Sequence, residues 1–257
     1  MSPVVSLGQL AADLRAGVLF CTRLPVPGAA TITGTDIARA GWALPVAGAI
    51  VGLIAAVVYG LARLADVPPF PAAGLTVVAS LVVTGCLHED GLADVADSFG
   101  ASARERKLEI MRDSKIGTYG VCALFMSLLL RSGALASIAD PALAAPALVA
   151  AHMAGRAGMP LFMRLVPPAR ADGLSVGVGT PPRASAIAAL LIGIVALAVG
   201  LGPAAGVCAL ALLAAAFVFL AWLCMRQIGG QTGDVLGALE QIGEIVVLLV
   251  AAANVGG

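Results

Sequence analysis

Charge is scarce in this sequence. Only 12% of its 257 residues are Asp, Glu, Lys or Arg, 15 of each sign, where a soluble domain carries about 25%. A water-soluble protein of this length could not cover its surface with so few, and the same numbers exclude a disordered chain and a nucleic-acid-binding domain. Aromatic residues are 4% of the chain, and lysine is reduced to Lys107 and Lys115; both look like the composition of a GC-rich bacterial genome and carry no functional message. The five cysteines, Cys21, Cys86, Cys122, Cys208 and Cys224, are odd in number and form no C-x-x-C. They imply neither a disulfide framework nor a zinc site and read as small hydrophobes in buried helices. No basic n-region precedes a compact apolar core, and Asp13 and Arg15 interrupt the first apolar stretch, so no secretory signal peptide is expected.

What the chain has is apolar sequence. Hydrophobic residues make up 60% of it, and its mean hydropathy is +1.01. A helical span needs about 20 apolar residues, which allows at most about seven or eight. The expected architecture is all-α: one polytopic membrane bundle over 1–257 with about seven spans, near 43–64, 70–88, 118–138, 142–163, 185–201, 205–225 and 242–255. Residues 4–22 are apolar but broken by Gln9, Asp13 and Arg15, so segment 1–40 reads as amphipathic and interfacial. Polar loops are expected at 89–117, 164–184 and 226–241, and the first of these holds seven of the fifteen acids. Twelve of the fifteen Lys and Arg fall in the N-terminal segment and these three loops. By the positive-inside rule that side is cytoplasmic, and seven spans put the C-terminus outside.

Two acidic constellations then share one face. In the first, Asp90, Asp94 and Asp97 are spaced i, i+4, i+7, which on a helix is one stripe. Carboxylates on one stripe repel unless a cation holds them, and hard oxygen donors without cysteine suit Mg²⁺ or Mn²⁺. His88 adjoins the triplet as a candidate general base or metal-shell donor. In the second, four glycines surround Asp234, and Glu240 and Glu244 follow at i, i+4. Gly230 and Gly233 place backbone N–H groups where a phosphate could bind. Between the two lies Arg112-Asp113-Ser114-Lys115, whose cations suit a diphosphate. His152 and Arg156, four apart inside a span, are intramembrane ionisable groups. Together these residues read as a membrane Mg²⁺-dependent transferase acting on a phosphoanhydride.

The blocks HEDGLADVADSFG (88–100), IMRDSKIGTYGV (110–121) and GGQTGDVLGALEQIGE (229–244), with FCTRLPVP (20–27) and GWALPVAGAIVG (41–52), resemble the cobalamin synthase family in content, order and spacing. Glu89 and Ser98 depart from the expected pattern, at positions where an apolar residue and a glycine are anticipated. The resemblance implies an integral inner-membrane, Mg²⁺-dependent enzyme of B12 assembly. A hydroxyl of α-ribazole, or of its 5′-phosphate, attacks the phosphorus of adenosylcobinamide-GDP that bears cobinamide, and GMP leaves. It implies Asp90, Asp94 and Asp97 as the metal site. Asp113, Asp234, Glu240 and Glu244 follow as further metal, base or nucleotide-orienting groups, and Arg23, Arg112 and Lys115 as phosphate binders. The partners implied are the two small-molecule substrates and the bilayer, with association with other B12 assembly enzymes left open.

Rival readings fit less well. A CDP-alcohol phosphotransferase shares the chemistry, but Asp90-Gly91 is followed by Leu92-Ala93-Asp94 without the arginine its motif needs. A prenyltransferase of the ubiquinone type would carry two Asp-rich loops. A transporter would place its charges at mid-membrane, often in two related halves, and no repeat is visible here.

Overall fold

The computed structural model describes residues 6–27 and 32–255. Residues 1–5, 28–31 and 256–257 lie outside the described residues, and with them part of the expected interfacial segment 1–40. The described chain is all-α. In order, it forms α1 (Leu7–Cys21), α2 (Gly34–Arg39), a 3-10 turn at Ala40–Ala43, α3 (Leu44–Leu64), α4 (Pro69–Thr84), α5 (Leu87–Ser98) and α6 (Arg104–Ile110). It continues through α7 (Thr118–Ile138), α8 (Pro141–Ala157), α9 (Met159–Leu165), α10 (Leu174–Val178), α11 (Arg183–Leu201), α12 (Pro203–Ile228) and α13 (Gly233–Val255).

Five stretches are long and apolar enough to cross a membrane among the described residues: Gly34–Leu64, Thr118–Ile138, Arg183–Leu201, Pro203–Ile228 and Gly233–Val255. A sixth is added if α4 and α5, which meet at 94°, count as one bent span. The chain is thus a multi-pass membrane protein, with one or two fewer qualifying spans than the seven expected. The expected span 70–88 is cut short because Gly85 and Cys86 both take left-handed backbone, φ 66° and 58°. The expected span 142–163 divides into α8 and α9, and α8 has only 17 residues with Pro146 inside it. Five spans keep the expected external C-terminus; six reverse it.

Alanine dominates the interior. Ala55, Ala72, Ala147, Ala150, Ala151 and Ala209 are buried among α3, α4, α8 and α12. Small side chains let backbones approach, and dispersion contacts then replace the hydrophobic drive that lipid does not provide. Large apolar groups such as Leu53, Leu61, Val82, Val199, Val207 and Phe219 point outward, as a lipid-facing surface requires. The N-terminal helix α1 is organised the other way round from a water-facing amphipath. Its Asp13 is buried and accepts hydrogen bonds from Arg39 Nε at 2.8 Å and Trp42 Nε1 at 3.1 Å, so the acid of α1 is turned to the protein while Arg15 stays exposed.

Two expected loops are helical. Residues 89–117 contain α5 and α6, and α13 already starts at Gly233, so Glu240 and Glu244 lie two turns or more inside a helix. α5 carries Glu89, Asp90, Asp94 and Asp97. It runs crosswise to α4 at one end of the bundle, and with four acids in twelve residues it is no span in its own right.

Candidate active site

Close backbone contact brings the two acidic constellations together. A Cβ built on Gly91 would come 2.8 Å from the carbonyl oxygen of Asp234, and one on Gly237 would come 3.1 Å from that of His88. Only glycine permits α5 and α13 to touch this closely, and the contact sets Asp90 beside Asp234. Gly91→Ala is expected to push the helices apart and reduce turnover by about tenfold or more, read as initial rate per folded enzyme. At the start of α13, Thr232 Oγ1 accepts the N–H of Val235 at 3.3 Å and donates to Asp234 Oδ2 at 3.0 Å. This cap fixes the Asp234 carboxylate.

Asp90, Asp94, Asp113 and Asp234, with Arg112, Ser114 and Lys115, line an open cavity of about 510 Å³. Asp90 and Asp234 also line a second, narrower cavity of about 220 Å³, whose wall includes His88, Arg170 and Gly233. The two aspartates are therefore a wall common to both chambers. Burial, and then the charges of Asp90, Asp234 and Asp97, push the Asp94 carboxyl from 3.8 up to about 7, with Arg170 pulling more weakly the other way. Excess negative charge of this kind is what a divalent cation relieves. The donors of Asp90, Asp94 and Asp234 are all oxygen, the type that Mg²⁺ or Mn²⁺ prefers, though their ligand atoms do not all lie within 4.8 Å of one another.

Asp97 separates from this group. Its Oδ2 accepts the N–H of Gly117 and its Oδ1 that of Gly120, each at 2.7 Å. Both oxygens are thus spent at the N-terminus of α7, where four backbone donors lack helical partners. The expected metal triplet divides: Asp90 and Asp94 face the cavity, and Asp97 ties α5 to α7. Asp97→Ala is expected to cost about 3 kcal/mol of stability, the loss of two charge-assisted bonds at about 1.5 kcal/mol each, measured by denaturant titration in detergent.

The other expected residues are distributed as follows. Arg112 pairs with Asp172 at 2.6 Å on the rim, and the N–H of Lys115 donates to Asp113 Oδ1 at 3.2 Å. Arg23 lines neither cavity: its N–H donates to the Val83 carbonyl at 2.7 Å, and its side chain packs over Gly85, at the C-terminus of α4. Gly230 does not present a phosphate nest. A Cβ there would strike the Pro167 carbonyl oxygen, and the neighbouring Gln231 exchanges backbone hydrogen bonds with Pro167 and Ala169, each 2.8 Å. The glycine is required for the close approach of two chain segments. Arg170, a cation of the 164–184 loop, places its Nη2 3.7 Å from Asp234 Oδ2. Nothing in the local sequence signals that long-range pair.

Glu240 and Glu244 line neither cavity. They are buried in an ion-pair network beneath the aspartates. Arg156 Nη1 lies 2.5 Å from Glu240 Oε1 and 3.1 Å from Glu244 Oε1. Arg131 spans from Glu244 to Glu89, both at 3.0 Å, and Gln241 donates to Glu89 Oε1 and Glu240 Oε2. The departure at Glu89 therefore has a partner within the fold. His152 also pairs with Glu244. His152, Glu240 and Glu244 form the one group among the described residues whose ligand atoms all lie within 4.8 Å of one another. Arg156 already occupies their shared oxygens, so the group reads as an ion-pair lattice. His88 bridges the two levels: it lines the smaller cavity, and its Nδ1 faces Glu240 Oε2 at 3.6 Å.

The model of the family described as cobalamin-5-phosphate synthase matches residues 13–252. An adenosylcobinamide-GDP ribazoletransferase of Bradyrhizobium diazoefficiens is 55% identical over 96% of this chain and 96% of its own length. Relatives of the same name from Mesorhizobium japonicum, at 50% over 95% and 94%, and Azorhizobium caulinodans, at 43% over 94% and 95%, are similar throughout. No solved structure matches the chain. With a family model covering its length and relatives at such identity, the chain belongs to the cobalamin-5-phosphate synthase family.

Proposed function

We propose that the protein is an adenosylcobinamide-GDP ribazoletransferase that joins adenosylcobinamide-GDP to α-ribazole, or its 5′-phosphate, and releases GMP in the last stage of B12 assembly. The observation that carries the reading is the common wall of Asp90 and Asp234, with a cation-rimmed cavity on one side and a mostly apolar one on the other. The larger cavity, with Arg112 and Lys115 at its edge, suits the diphosphate. Asp90, Asp94 and Asp234 would hold Mg²⁺, or Mn²⁺, which when bound neutralises phosphoryl oxygens and the leaving group.

The chain's own groups do the rest. A ribose hydroxyl of the ribazole attacks the cobinamide-bearing phosphorus, a new P–O bond forms, and the P–O bond to GMP breaks. The hydroxyl proton goes to a base on the shared wall. His88 is the residue we assign: it lines the cavity beside Asp90, its Nε2 has no hydrogen-bond partner in the protein, and the role requires the tautomer in which Nδ1 carries its hydrogen toward Glu240 Oε2, 3.6 Å away, rather than accepting from Arg156 Nη2 at 3.4 Å. We place the site at the cytoplasmic face of the bacterial inner membrane, on the distribution of Lys and Arg.

The test uses purified protein in nanodiscs with Mg²⁺, adenosylcobinamide-GDP and α-ribazole. GMP and cobalamin should form in equal amounts, with loss of both on chelation. No product with either ribazole form and several divalent ions would sink the assignment. His88→Ala should lower kcat by about 10²-fold or more, the usual worth of a positioned base; near-normal turnover would remove His88 from that role.

A further inference from the structure

The smaller cavity has a shape and chemistry of its own. Phe20, Leu44, Met159, Met163, Leu174 and Val178 form its apolar walls, supplied by α1, α3, α9 and α10. Its polar end carries Asp90, Asp234, His88, Ser175 and Arg170. At about 220 Å³ it lies below the roughly 300–1,000 Å³ of a pocket for a whole drug-sized ligand. A corrinoid with its amide side chains is far larger and cannot enter. A flat two-ring base can.

Two buried atoms at the polar end lack partners. Arg170 Nη1 and His88 Nε2 are both closed to solvent and hydrogen-bonded to nothing in the protein. Leaving such a group unpaired is costly, so each such atom calls for an explanation, and a ligand with oxygen atoms at one end supplies it. The geometry points to this cavity as the seat of the α-ribazole base: the dimethylated benzimidazole lies among the apolar walls, and the ribose is turned toward Asp90 and Asp234. The inference rests on the reading of the chain as a ribazoletransferase and names which substrate takes which side of the wall.

Two bulky substitutions on different elements test it. Met163→Trp on α9 and Leu174→Trp on α10 fill the cavity from two walls, and Leu174 is 51% exposed, so the fold tolerates change there. Each folded variant should raise KM for α-ribazole at least tenfold and leave KM for adenosylcobinamide-GDP within twofold. Equilibrium dialysis of α-ribazole alone against wild type in nanodiscs should give saturable binding that Met163→Trp removes. Nucleosides lacking one ring methyl should bind about fourfold more weakly, since a buried methyl contributes about that factor. Unchanged KM for α-ribazole in both folded variants, or an equal rise in both KM values, would overturn the proposal. So would a rise confined to adenosylcobinamide-GDP. Failure of the parent reading is separately visible as wild type that releases no GMP. Ribazole binding lost in Met163→Trp would still uphold the seat in that event.

Discussion

Asp94→Asn is expected to lower GMP-forming turnover by about 10²–10³-fold, the worth of one preorganised electrostatic contact to the reacting charge, and yet to leave the metal-free protein at least as stable as wild type. The two effects have one cause. The Asp94 carboxyl is pushed from 3.8 to about 7 by burial and by Asp90 and Asp234, so the fold disfavours the charged form that a metal needs. The native state binds the proton more tightly than the unfolded chain. This group's contribution to stability is therefore fully present below pH 3.8 and is lost as pH rises through about 7. Chelated wild type should melt at a lower temperature at pH 8 than at pH 6, and Asp94→Asn should flatten that slope. Divalent cation should reverse the order, raising the melting temperature of wild type and not of the variant. A variant with normal turnover, or a wild type whose melting ignores both chelator and cation, would remove Asp94 from the metal site.

Arg156→Met should be the most destabilising single change. Arg156 is wholly buried and holds two carboxylates of α13 against α8. The network contains Glu89, Glu240 and Glu244 against Arg131 and Arg156, so the substitution leaves one guanidinium facing three buried acids. Breaking a buried pair from one side costs about 3–5 kcal/mol, because the partner stays buried and uncompensated. Arg156→Met with Glu244→Gln removes one stranded charge and should recover part of the loss. Denaturant titration in one detergent gives both values and their coupling. Equal stability of single mutant and wild type would mean that water reaches the network.

Membrane character and the order of the main helices were legible in the sequence, because long apolar runs fix both. The chemistry-bearing residues were legible as a set: Asp90, Asp94, Asp113 and Asp234, from three separate blocks, line one cavity. What could not be read was direction. Glu240 and Glu244 look like a loop extension of Asp234 when the apolar run is started at Ile242. Instead α13 begins nine residues earlier, at Gly233, and turns both glutamates inward. Polarity suggested a loop where ion pairing with Arg156 sustains a helix. Asp97 matched the i, i+7 stripe, but the N–H groups of Gly117 and Gly120 draw it to α7, a contact across 20 residues or more that spacing alone does not reveal. Arg170 reaches the site by a similar long-range turn.

The wall that Asp90 and Asp234 make between the two chambers also bears on kinetic order. Each chamber opens to the same pair of carboxylates, so neither substrate needs the other's departure before it is seated, and no chain group must carry the cobinamide phosphate in between. Bond formation then requires both chambers to be filled at once. Initial-rate plots against one substrate at fixed levels of the other should intersect rather than run parallel, and GMP should not be released from adenosylcobinamide-GDP alone. The joined product lies across the wall in both chambers, which makes it the species hardest to expel.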